Sequence, residues 1–173
     1  EMLPELATDP EFVAMFVDEA RLAMRLDHPN LIQTFEMGEN EGRYFLVMEY
    51  LEGQPFAAAL SRTKRTMPLP MQLHVLARVL AGLHYAHELA DMSGQALGIV
   101  HRDLSPGNIF ICYGGAIKLV DFGIAKMVGA RVKTRTGVFK GKLGYASPEQ
   151  IENLPVDRRT DVFAAGVLLW EAL

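Results

Sequence analysis

The stretch from Ile99 to Gly123, IVHRDLSPGNIFICYGGAIKLVDFG, most constrains what this chain can fold into. Two short β-prone runs, Ile109 to Cys112 and Ala116 to Val120, flank Gly114-Gly115, which predicts a tight hairpin. His101-Arg102-Asp103 and then Asn108 precede the first run, and Asp121-Phe122-Gly123 follows the second. A hairpin returns the chain to its starting end, so Asn108 and Asp121 are expected together, with Asp103 in the loop beside them. A single aspartate is most often a turn residue. Order and spacing of the whole set point instead to chemistry.

The chain has 173 residues, enough for one domain with a core. Half of them are apolar and 22% are charged, which describes a folded rather than a disordered chain. A net charge of −4 gives no general reason to expect nucleic acid or an anionic membrane. The basic run from Arg131 to Lys142 could meet phosphate or acidic substrates, with a solvated loop as the plain alternative. Cys112 is the single cysteine and reads as a small buried apolar residue in a reducing compartment. No apolar run reaches about 18 residues and no leader is visible, so the expectation is a cytoplasmic chain without a membrane span. It opens on Glu1 and stops within the apolar pattern Val162 to Leu173, so it reads as a fragment.

In chain order, Asp9 as cap and Pro10 as first helical residue predict a helix carrying Phe12, Met15, Phe16, Glu19, Leu22, Ala23 and Leu26. It should end before His28-Pro29-Asn30. Leu31 to Met37 and Tyr44 to Tyr50 read as strands around a Gly38 to Gly42 turn. The second is apolar enough to be expected at the centre of its sheet. Pro55 to Leu60 predicts a short helix and Ser61 to Pro70 a polar loop. Met71 to Leu89 predicts a long helix with one stripe of Leu73, Leu76, Ala77, Leu80, Leu83 and His87. No carboxylate or thiol constellation accompanies His84 and His87, which argues against metal. Ile124 to Lys142 has little periodicity and reads as a long loop of the regulatory kind.

With these residues in place, the chain resembles the eukaryotic-like serine/threonine protein kinases, specifically their bacterial members, over essentially its whole length. The resemblance implies an α+β, two-lobed fold, here truncated. Residues 1–50 would be the remainder of the β-rich small lobe, 51–53 the hinge, and 54–173 the first part of the helical large lobe. It implies transfer of the γ-phosphoryl group of ATP to Ser/Thr hydroxyls of protein substrates, with Mg2+. Asp103 matches the catalytic base, and Asn108 and Asp121 match the magnesium ligands, as suits a hard cation that takes few protein oxygens. Glu19 looks like the helix glutamate that pairs with the ATP-binding lysine, and Met48 like the gatekeeper. Backbone from Glu49 to Leu51 would hydrogen-bond adenine above Phe110. Ser147-Pro148-Glu149 stands where the family has A-P-E, and Asp161 matches the aspartate that braces the catalytic loop. Arg102, with Thr134 and Thr136 among nearby cations, looks like a phosphorylation-dependent regulatory set.

Three departures qualify this. The glycine-rich loop and the ATP-binding lysine would precede Glu1, and much of the large lobe would follow Leu173, so the fragment alone is expected to be inactive. Serine/threonine members usually carry lysine where Ser105 stands, and threonine where Lys142 stands. The resemblance places those two positions side by side, which implies an exchange: Lys142 supplies the ammonium and Ser105 the hydroxyl. A pseudokinase, keeping the fold as a nucleotide-binding or scaffolding module, is the alternative.

Overall fold

A computed structural model describes residues 10–63, 66–122 and 143–173; of Glu11, Glu19 and Leu143 it describes the backbone. Helix α1 (Pro10–Ala23) leads into strands β1 (Thr34–Asn40), β2 (Arg43–Met48) and β3 (Gly53–Pro55). Helices α2 (Phe56–Arg62) and α3 (Leu69–Glu88) follow, then strands β4 (Ile109–Cys112) and β5 (Ile117–Leu119). Short α4 (Pro148–Ile151) and long α5 (Arg158–Ala172) close the order. Proline opens α1, where its missing N–H costs nothing, and Asp157 caps α5 by accepting from the Arg159 amide at 2.8 Å.

Two antiparallel sheets result, β1–β2 and β3–β4–β5. Phe12 and Phe16 of α1 pack with Met37, Tyr44 and Leu46 of the first sheet as a small apolar cluster. The main core gathers Leu26, Leu31, Phe56, Val79, Leu83, Leu104, Ile109, Leu119, Ala164 and Leu168. Burial of each such leucine stabilises the fold by roughly 1.5–3 kcal/mol. An isolated parallel bridge ties the segment before β1 to β5. The Leu119 amide donates to Asn30 O at 2.8 Å, and the Ile32 amide donates to Leu119 O at 3.0 Å. Gly82 of α3 lets this segment come close, since a Cβ there would sit 2.7 Å from a Leu31 methyl.

The β4–β5 hairpin stands as expected, with Ile109 opposite Leu119. Other expectations are corrected. The first hairpin turns on Glu41-Gly42 alone, both left-handed, rather than on Gly38 to Gly42. Strand β2 pairs only with β1 among the described residues, and Val47 and Met48 are 40% and 41% exposed. Among the described residues β1 is thus its one neighbour. Helix α2 runs on to Arg62 and α3 begins at Leu69, so the expected Ser61 to Pro70 loop is shorter. Helix α3 buries Val75, Val79, Gly82, Leu83 and Ala86, leaving Leu73 and Leu80 39% and 42% exposed. Apolar residues surround that helix, so periodicity could not choose a face; the close approach of Leu31 selected the one with small side chains. Cys112 is half-buried opposite Gly53 rather than fully enclosed. Among the described residues no helix is long and apolar enough to cross a membrane.

Candidate active site

The loop from His101 to Asn108 is pinned by apolar residues, with Ile99, Leu104 and Ile109 buried in the main core. Its polar centre is Asp161, in the first turn of α5 and 1% exposed. Asp161 Oδ2 accepts from the His101 amide at 2.8 Å, and Oδ1 accepts from the Arg102 amide at 2.8 Å. His87 Nε2 of α3 makes a third bond, to Oδ2 at 2.8 Å. A buried carboxylate is tolerated when it is hydrogen-bonded on this scale. Arg102 is thereby held at φ 66°, a left-handed conformation that non-glycine residues seldom adopt.

His101 is wholly buried and joins the loop to the end of β5. Its Nδ1 accepts from the Asp103 amide at 3.2 Å, and its Nε2–H donates to Val120 O at 3.0 Å. Those two bonds assign the neutral tautomer, and burial pushes the imidazole below its ordinary pKa. The Phe122 ring meets it edge-on at 4.7 Å between centroids. The Val120 amide donates to Asn108 O at 2.9 Å, which sets Asn108 beside the residue that precedes Asp121. Asn108 Nδ2 in turn donates to Asp103 O at 2.9 Å and Asp103 Oδ2 at 3.0 Å. Asp103, Asn108 and Asp121 thus gather at one end of the hairpin, as expected. Asp121 is exposed and left-handed, at φ 59°.

The donor set is an exposed carboxylate, that of Asp121, and the side-chain amide of Asn108, whose nitrogen donates to Asp103. Hard oxygens of that kind fit magnesium. Among the described residues no group of three or more His, Cys, Asp or Glu is placed to hold a metal ion.

The other expected residues lie along the hairpin and the segments beside it. Met48 ends β2, and Phe110 lies in β4 between Pro55 and Lys118. The Glu49 amide donates to Gln33 O at 2.9 Å, and its side chain turns to β5, where Oε1 accepts from Lys118 Nζ at 2.5 Å and from the Gln33 amide at 2.8 Å. Leu51 lies just before β3. Ser105 is 2% exposed, and its Oγ has no hydrogen-bond partner among the described residues. Glu19 lies on α1 and is described in backbone alone; Lys142, Thr134 and Thr136 lie outside the described residues.

Sequence reasoning missed three side chains. His87, a stripe residue of its helix, bonds Asp161, a partner the sequence does not indicate. Lys118 braces Glu49. Gln150 Nε2 donates to Arg102 O at 2.8 Å while its Oε1 accepts from the Ser147 amide at 3.2 Å. The last was signalled, because Ser147-Pro148-Glu149-Gln150 has the spacing of a capping box.

The protein kinase domain model matches residues 5–173. The chain is 51% identical to a protein named tyrosine-protein kinase MasK from Myxococcus xanthus, over 99% of this chain and 27% of that one. It is 39% identical to serine/threonine-protein kinase PknA from Mycobacterium tuberculosis, over 98% of this chain and 38% of that one. It therefore spans between a quarter and two fifths of the length of these relatives. The crystal structure of the Mycobacterium tuberculosis PknI kinase domain superposes with a TM-score of 0.74 at 28% identity, covering 97% of this chain and 59% of that one.

Proposed function

Because the chain belongs to the protein kinase family, with its α+β fold, we propose that the protein carrying it is an ATP- and magnesium-dependent serine/threonine kinase acting on cytoplasmic protein substrates. The observation that carries this reading is the bonded group of Asp103 and Asn108 beside Asp121, seated on the buried Asp161. Residues 1–50 then serve as the small-lobe part, 51–53 as the hinge and 54–173 as the large-lobe part.

Asp103 orients the acceptor hydroxyl and takes its proton as the new O–P bond forms and the bond from the γ-phosphorus to the bridging oxygen breaks, with ADP leaving. Asn108 and Asp121 would hold magnesium, which supplies charge neutralisation on the phosphates. The Glu49 amide is taken up by Gln33, so the Glu49 carbonyl and the Leu51 peptide are the groups presented to adenine, with Met48 and Phe110 as apolar walls. Glu19 takes part by pairing with the ATP-binding lysine.

Ser105 and Lys142 complete the charge pattern. A buried hydroxyl without a partner among the described residues suits the proposed exchange, in which Lys142 reaches the γ-phosphate and Asp103, and Ser105 bonds within that group. In the complete protein, Lys142→Ala should lower kcat about a hundredfold, the scale of one lost charge-stabilising donor. Ser105→Lys with Lys142→Thr together should recover more activity than either change alone. A Lys142→Ala variant as active as the parent would end the exchange.

A second reading, transfer to tyrosine, is favoured by the name of the 51% identical relative. Radiolabelled γ-phosphate transfer to a protein substrate, followed by phosphoamino-acid analysis, separates the two. The expected label is on serine or threonine; phosphotyrosine alone would select the second reading, and no transfer by the complete protein would favour a scaffold. The same active sample should carry phosphate on Thr134 or Thr136, placed for Arg102 and its neighbours to bind.

A further inference from the structure

We infer that Gln150 is a positioning residue for Asp103, linking the turn that opens α4 to the catalytic loop through the carbonyl of Arg102. This rests on the reading of Asp103 as acceptor of the substrate's proton. The peptide between Arg102 and Asp103 is one rigid plane, so its orientation sets where the Asp103 carboxylate points. Both polar atoms of that plane are held by side chains. Gln150 Nε2 donates to Arg102 O at 2.8 Å on one side, and the Asp103 amide donates to His101 Nδ1 at 3.2 Å on the other.

The Gln150 amide is itself oriented, because its Oε1 accepts from the Ser147 amide at 3.2 Å. Ser147 is buried, and its hydroxyl lies 3.3 Å from Thr160 Oγ1, one residue before Asp161. Arg102 is thus held by its amide through Asp161 and by its carbonyl through Gln150, and a left-handed residue needs such support to persist. A shift of the Ser147–Ile151 turn therefore rotates the Asp103 peptide, with consequences for the reaction far larger than for binding of ATP. The local capping role of Gln150 is separable from this one, since the cap uses its oxygen and the link to Arg102 uses its nitrogen.

Gln150→Glu separates the two roles in the complete protein. The carboxylate still accepts from the Ser147 amide and suits a helix N-terminus, but it cannot donate to Arg102 O. The expected result is a melting temperature below the parent's but above that of Gln150→Ala, a kcat lower by about tenfold or more, and a KM for ATP within about twofold. Gln150→Ala loses both bonds and should lower melting temperature and kcat together. Amide hydrogen exchange, measured without substrate, should quicken over residues 101–105 in Gln150→Glu while α4 keeps its protection. A parent that transfers no phosphate would overturn the functional reading and leave the exchange result to decide the link. Parent-like kcat in Gln150→Glu, or unchanged exchange over 101–105, would overturn the link itself.

Discussion

Asp103→Asn should lower kcat by about a hundredfold to ten-thousandfold, the range set by loss of a general base. The substitution preserves shape. Asn108 Nδ2 can still donate to the residue's main-chain oxygen and, with the new amide turned, to its side-chain oxygen, the two bonds found at 2.9 and 3.0 Å. The backbone bond from residue 103 to His101 Nδ1 is untouched. What disappears is the ability to take a proton. The KM for ATP should therefore change little, because both bonds that hold Asn108 are kept and the adenine-facing groups are separate from Asp103. Steady-state kinetics on the complete protein read this directly, and a variant within about threefold of the parent would remove Asp103 from the mechanism.

Asp161→Ala should destabilise the fold by about 3–5 kcal/mol, the scale for breaking a buried charged network from one side. Three donors lose their acceptor at once: the His101 and Arg102 amides and His87 Nε2. Against a total stability of about 5–15 kcal/mol, that is a large share. Asp161→Asn should fall between the two. Its single oxygen can replace Oδ2 and keep His101 and His87, but its NH2 then faces the Arg102 amide. The Arg102 amide loses its acceptor in both variants, so both should lose phosphotransfer even where they remain folded. Urea denaturation with an unchanged slope and a lower midpoint is the check. If Asp161→Ala stayed within about 1 kcal/mol of the parent, the carboxylate would not be the brace described.

Local patterns carried the site further than they carried the packing. The hairpin was legible because Gly114-Gly115 breaks two β-prone runs, and turn chemistry acts within a few residues. That hairpin then implied the meeting of Asn108 with Asp121. The buried face of α3 was not legible, since Leu73 and Leu80 fit helical periodicity as well as Val75 and Val79 do. Choosing between them needs the position of Leu31, which is far away in sequence. The same holds for Glu49 and Lys118, and for His87 and Asp161, pairs 69 and 74 residues apart. No window on the sequence contains both partners. Exposed Val47 and Met48 show a related limit, because an apolar run states what a strand could bury and says nothing of what lies against it.

Arg102 and Asp121, at φ 66° and 59°, give the molecule a trade-off between durability and work. A left-handed backbone costs a non-glycine residue about 1–2 kcal/mol, less for an aspartate than for an arginine. Glycine at either position would relieve that strain, yet it would delete the Arg102 guanidinium or the Asp121 carboxylate proposed to hold magnesium. Selection for endurance alone would thus dismantle the site, and the rest of the fold must carry the difference. In a relative that does not catalyse, these two positions are where relaxation of the backbone would be felt first.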